Sequence, residues 1–172
     1  GLKQDPSRVY LLPSGREAQP GSQVPTVLTP GGPVADLAMI QLVPSKGHDM
    51  IGDCGICCLA TLSGCSYEDV VAIAVQHVGE SWKHGLYVTQ LIAIGRDLGL
   101  NLKRRRKYDL EQDTGILRAT ITERHLNKKP SRIEHVGVLL EGRIYDSDLR
   151  IWAVDAFKQH YAAEFGILLE IE

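Results

Sequence analysis

The sequence predicts an α+β fold. Helical patterns cluster before residue 100 and strand patterns follow it. This grouping of helices and then strands favours segregated layers over alternating βαβ units. The chain has 172 residues, 44 % of them hydrophobic, enough for one ordinary globular core.

Residues 1–37 carry Pro6, Pro13, Pro20, Pro25, Pro30 and Pro33 with several glycines. Proline removes an amide donor and clashes with the preceding turn, so the segment reads as an extended arm or linker. Residues 38–172 then form one compact domain. "CGICCLATLSG" reads as a short helix starting near Cys54 and stopping at Gly64, a residue suited to a left-handed cap. Ser66 offers an N-cap with Asp69 three positions on, and Val71, Ala74, Val75 and Val78 form the stripe of a second helix. "YVTQLIAIGRDLG" repeats the scheme, with Leu91, Ile94 and Leu98 on one face and Gly99 as the stop. "HVGVLL" and "RIYDSD" flank Glu141-Gly142 and predict an antiparallel hairpin. "AVDAFKQHYAAEF" reads as helix and "GILLEI" as a final strand.

A net charge of −2 and a pI near 6.3 give no global attraction to nucleic acid or anionic membrane. The basic run "KRRRK" at 103–107 reads as a solvated strand or loop rather than a phosphate-binding patch. No apolar run of about 18 residues is available to span a bilayer, and the N-terminus lacks the layout of a secretory signal. The expected location is cytoplasmic. Cys54, Cys57, Cys58 and Cys65 are crowded together rather than spread as a disulfide framework, which fits reduced thiols.

A thiol in the first turn of a helix feels unpaired amides and the positive end of the macrodipole, which stabilise thiolate. Cys54 is so placed, and Gly55 is expected to leave room for a carbonyl approaching its sulfur. Cys57, Cys58 and Cys65 read as core packing. Structural zinc needs a second ligand pair at matching distance, which Cys65 and scattered histidines do not supply. A redox role for the C-x-x-C needs a βαβ setting that is absent. No metal or cofactor is expected. His77, His84, His125 and His160 share no spacing and read as incidental.

A nucleophilic thiol needs a base and an orienter. Counting outward from a Glu141-Gly142 turn brings Leu140 opposite Arg143, Gly137 opposite Asp146 and His135 opposite Asp148. His135, Asp146 and Asp148 then share one sheet face, so either carboxylate can orient the imidazole.

"DCGICCLATLSGCSYEDV", "HGLYVTQLIAIGRDLGLNL", "HVGVLLEGRIYDSD" and "AAEFGILLEI", in that order, resemble papain-like cysteine peptidases, closest to the branch that trims double-glycine leader peptides. The likeness covers about residues 48–171. It implies a papain-like fold, Cys54 as nucleophile, His135 as general base and Asp146 as orienter. Asp148 stays the geometric rival. The family's oxyanion-donating Gln falls where this chain has His48, which donates where Asp49 repels. Asp146 is followed by Ser147 rather than the usual Pro.

The function expected is acyl transfer to water or an amine, as an endopeptidase or isopeptidase on a protein or peptide substrate. The alternative is a papain-like binding module, viral or bacterial, that sequesters a partner. Gly31-Gly32 is read as chance, since Pro33 occupies the position whose amide a leader peptidase would cut. "SRVYLLPSG" and "SQVPTVLT" hold short β-prone runs, so the arm is expected to pair with the domain or with a second copy, against the simpler reading of a linker.

Overall fold

The computed structural model describes residues 40–46, 52–123 and 131–172. The arm over 1–37, His48, Asp49 and His125 lie outside these residues, as do the expectations that the arm pairs with the domain or a second copy.

Helix α1 (Cys54–Ser63) is buried along nearly its whole length, from Gly55 to Leu62, because it runs through the middle of the helical layer. Gly64 closes it in the left-handed conformation, φ 72°, with its N–H donating to Ala60 O. Ser66 caps α2 (Tyr67–Val78), its hydroxyl oxygen accepting from Asp69 N. The buried row of α2 is Tyr67, Val70 and Ala74, rotated from the predicted stripe, and Val75 is exposed. A run of apolar β-branched residues offers two adjacent rows, and packing against α1 selects the one led by Tyr67. A 3-10 helix (Gly79–His84) follows α2. Leu91 and Ile94 are buried in α3 (Val88–Asp97), and Gly99, at φ 79°, follows its end.

Six strands, β1 (Leu102–Arg105), β2 (Gly115–Glu123), β3 (Ser131–Leu140), β4 (Arg143–Tyr145), β5 (Ile151–Ala153) and β6 (Glu164–Ile171), form one antiparallel sheet in the order β1-β6-β2-β3-β4-β5. Helix α4 (Val154–Tyr161) lies between β5 and β6 in the chain. Strands β1, β2 and β5 add to the predicted hairpin and final strand.

Alternation along the strands divides the core in two. Ile116, Val138, Leu140, Tyr145, Ile167 and Leu169 pack with α1, α2 and α3. Their neighbours Leu117, Leu139, Ile144 and Leu168 pack with Val154 and Phe157 of α4. Period-two side chains thus bury both sheet faces and give three layers, α1–α3, sheet and α4.

The β3–β4 hairpin has the predicted turn. Leu140 pairs with Arg143, and Glu141 and Gly142 both have positive φ, 47° and 68°, as a type I′ turn requires. Residues 103–105 of the basic run lie in the edge strand β1. Lys103 pairs with Glu172 at 2.7 Å and Arg105 with Glu170 at 2.5 Å, so part of its charge is neutralised by β6 and the residue that follows it. Among the described residues no single helix is long and apolar enough to cross a membrane.

Candidate active site

Cys54 is the first residue of α1 and is partly exposed. The N-cap residue, Asp53, makes no side-chain cap hydrogen bond, which leaves first-turn amides without that partner. Gly52 sets the approach to this turn. A Cβ there would lie 2.4 Å from Gly85 N and 2.7 Å from His84 C, so only glycine lets the Lys83–Gly85 backbone pack against this turn. Gly55 serves a different purpose from the one expected. Its Cβ position faces Leu91 Cδ2 at 3.0 Å and Leu86 Cβ at 3.5 Å, so its missing side chain admits α3 rather than a carbonyl.

The register of the hairpin holds through Val138 opposite Tyr145, and there the ladder ends. Beyond it the chain turns. Asp146 N donates to Arg150 O at 2.9 Å, Leu149 N donates to Asp146 O at 3.0 Å, and Leu149 takes φ 68°. This turn puts the Asp146 carboxylate beside His135, in the stretch of β3 that β4 does not reach. His135 Nε2 and Asp146 Oδ1 are 2.8 Å apart, and Asp146 is 5 % exposed. Ser147 N donates to the same oxygen at 2.7 Å.

The Cys54 side chain is the other polar neighbour of the imidazole, and both line the same cleft. With Nε2 on Asp146, the ring nitrogen left for sulfur is Nδ1. Burial of His135 disfavours its charged form, but the hydrogen bond to Asp146 and the nearby negative charge of Cys54 and Asp146 outweigh it, and its pKa is pushed up to about 10. One face of the ring stacks on Phe157 of α4, centroids 6.4 Å apart and planes 17° from parallel. Cys54, His135 and Asp146 are therefore brought together from α1, β3 and the turn after β4.

Asp148 is not placed to orient His135. The expected opposition of the two residues fails because the ladder stops first. Asp148 Oδ1 accepts from Arg150 N at 2.9 Å and Oδ2 faces Arg150 Nε at 3.2 Å.

All four cysteines are free. Cys57 and Cys58 are buried in the core cluster, and burial pushes both thiols up, with Asp53 and Cys54 adding to the effect at Cys57. They are neutral packing groups. Among the described residues no three His, Cys, Asp or Glu side chains converge to hold a metal ion. His77 pairs with Asp97 at 2.7 Å across α2 and α3, and His160 lies tilted against Trp152, centroids 4.8 Å apart.

Two supports were not foreseen. Phe157 backs the imidazole. The other is the strap over residues 40–46, which runs beside α1. Val43 N donates to Thr61 Oγ1 at 3.1 Å and Ser45 N to Ser147 O at 2.8 Å. Asp53, 9 % exposed, accepts from Ser45 Oγ at 2.8 Å, Lys46 N at 3.1 Å and Tyr67 Oη at 3.1 Å. Burial and this carboxylate hold the Tyr67 phenol well above its ordinary range. With its oxygens so engaged, Asp53 is a structural anchor rather than a second base.

The three residues line a cleft of about 1200 Å³ whose walls include Leu86, Tyr87, Ile121 and Ile133. Tyr87 is 77 % exposed at its rim. An Arg118–Glu134 ion pair at 2.8 Å also borders it. Comparison with protein-family models, with curated proteins and with solved structures finds no match to this chain.

Proposed function

We propose that this chain is a papain-like thiol enzyme that transfers an acyl group from a peptide or isopeptide bond. The observation that carries the reading is the shared imidazole: His135 hydrogen-bonds buried Asp146 and neighbours Cys54, and all three line one open cleft. A nucleophile at a helix start, opposite a base on an antiparallel sheet, agrees with a papain-like arrangement.

In this mechanism Asp146 holds the ring and stabilises imidazolium, so proton transfer from Cys54 leaves a thiolate. The thiolate attacks the carbonyl carbon and the π electrons move to oxygen. The Cys54 N–H at the start of α1 is the available backbone donor for that oxyanion. Collapse breaks the C–N bond, and the leaving nitrogen takes the proton from His135. Water, or an amine, then gives a proton to His135 and attacks the thioester, and thiolate and imidazolium return. No cofactor takes part in these steps.

The cleft mixes apolar side chains with an ion pair and is open to solvent, which suits an extended peptide or a protein tail. The test is incubation of the full chain with a capped peptide library, read by mass spectrometry for cleaved or transferred products. The reading predicts products that vanish with Cys54→Ala and with His135→Ala. Absence of products, together with no acyl adduct on Cys54 from activated peptide esters, overturns it.

A further inference from the structure

Ser45 joins the two halves of this site. Its hydroxyl donates to Asp53, the residue before Cys54, with the oxygens at 2.8 and 2.9 Å. Its backbone N–H donates at 2.8 Å to the carbonyl of Ser147, the residue after Asp146. The Ser147 N–H in turn donates at 2.7 Å to the carboxylate that receives His135. One residue of the strap is thus bonded to the neighbour of the nucleophile and to the neighbour of the acid.

This arrangement has a mechanical consequence. Cys54 is carried by α1 and Asp146 by a turn beyond the end of β4, where the sheet no longer fixes the backbone. The peptide linking Ser147 to Asp148 is held through its carbonyl by Ser45, and the Ser147 amide nitrogen holds the Asp146 carboxylate. The strap is itself pinned by Val43 N on Thr61 Oγ1 in α1 and by Lys46 N on Asp53. Its position therefore follows α1, and through Ser45 it carries the Asp146 turn with it.

Resting on the acyl-transfer reading above, we infer that Ser45 is a positioning residue that sets the spacing of Cys54 and the His135–Asp146 pair. Its hydroxyl acts through Asp53 and its amide through Ser147. Loss of its hydroxyl frees one carboxylate contact and lets the strap drift from α1. The Asp146 turn then loosens, and the imidazole spends less time within reach of sulfur.

The test is the pH dependence of Cys54 alkylation by iodoacetamide in the full chain, measured for wild type, Ser45→Ala, Ser45→Thr and Thr61→Val, with thermal melts alongside. Wild type first checks the underlying reading: a rate already high at pH 6 supports it, and a rate that rises only near the ordinary thiol pKa removes that reading itself. Given the first outcome, Ser45→Ala is expected to lose about ten-fold in rate at pH 6, near the low end of the worth of one charge-assisted hydrogen bond, and to shift the profile to higher pH. Ser45→Thr keeps the hydroxyl and restores the wild-type profile. Thr61→Val releases the far end of the strap without touching the site, and is expected to shift the profile in the same direction by less. A wild-type profile in folded Ser45→Ala overturns the inference. If Ser45→Ala does not fold, an unshifted profile in Thr61→Val overturns it instead.

Discussion

His135 stacks on Phe157 while its Nε2 faces Asp146 Oδ1 at 2.8 Å, so the ring is fixed both in plane and in rotation before any substrate arrives. The sheet supplies the imidazole, α4 supplies the surface behind it, and the turn after β4 supplies the carboxylate. Such fixed geometry is what turns a histidine near a cysteine into a general base.

Replacing Asp146 separates orientation from packing. Asp146→Asn keeps the volume but cannot stabilise imidazolium, and acyl transfer is expected to fall by about two orders of magnitude. Asp146→Ala also leaves His135 without its buried partner and is expected to cost about 3 kcal/mol in urea unfolding. Asp148→Asn serves as the comparison. Its carboxylate bonds Arg150, so activity within about two-fold of wild type is expected.

Phe157 is 1 % exposed, and its side chain joins Trp152, Tyr161 and Phe165 in one aromatic cluster. Phe157→Ala is expected to cost about 3 to 5 kcal/mol. Phe157→Leu refills most of the volume but not the flat face, so it is expected to fold while alkylating Cys54 more slowly. Equal alkylation rates in folded Phe157→Leu and wild type contradict a role for the stack.

The raised pKa of His135 makes stability depend on pH. Its ordinary value is about 6.5 and its folded value about 10, so the folded state binds the proton more tightly. The stabilisation is fully present below about pH 6.5 and is lost as pH rises through 10. Thermal melts of wild type and His135→Gln are expected to converge between pH 7 and pH 10. Parallel curves over that range contradict the linkage.

Tyr67 donates to the buried carboxylate of Asp53, the residue before Cys54. Tyr67→Phe removes the donor and little else, and is expected to lower stability by about 1 to 2 kcal/mol in chemical denaturation. Cys57→Ala, by contrast, is expected to leave the Cys54 alkylation profile unchanged, since the Cys57 thiol is a neutral core group.

Much of this arrangement is legible in the chain because it is locally encoded. Gly64, Ser66 and Gly99 punctuate the helices by cap chemistry, and Glu141-Gly142 sets the hairpin register by turn chemistry. The candidate pairing of Cys54 with His135 and an aspartate follows from a helix start and from period-two counting. That counting fails past Tyr145, because a strand's end is decided by what the chain does next. The choice between Asp146 and Asp148 rests on that end. β2 is not predicted from the sequence, although Ile116, Thr120, Ile121 and Thr122 of "GILRATITE" favour strands, and its place at the sheet centre depends on pairing with β3 and β6. Phe157 and Ser45 carry no local signal. Phe157 matters through His135, about twenty positions away, and Ser45 through Asp53 and Ser147, residues that only folding brings beside it.

In the proposed mechanism Cys54 and His135 act as one ionised pair. Its most direct test is the alkylation rate of Cys54, located by mass spectrometry, from pH 4 to pH 9 in wild type and His135→Ala. A wild-type rate already high at pH 6 is expected, with a His135→Ala rate that is lower there and climbs only near the ordinary cysteine pKa of about 8.5. Superimposable profiles, both climbing near 8.5, contradict it.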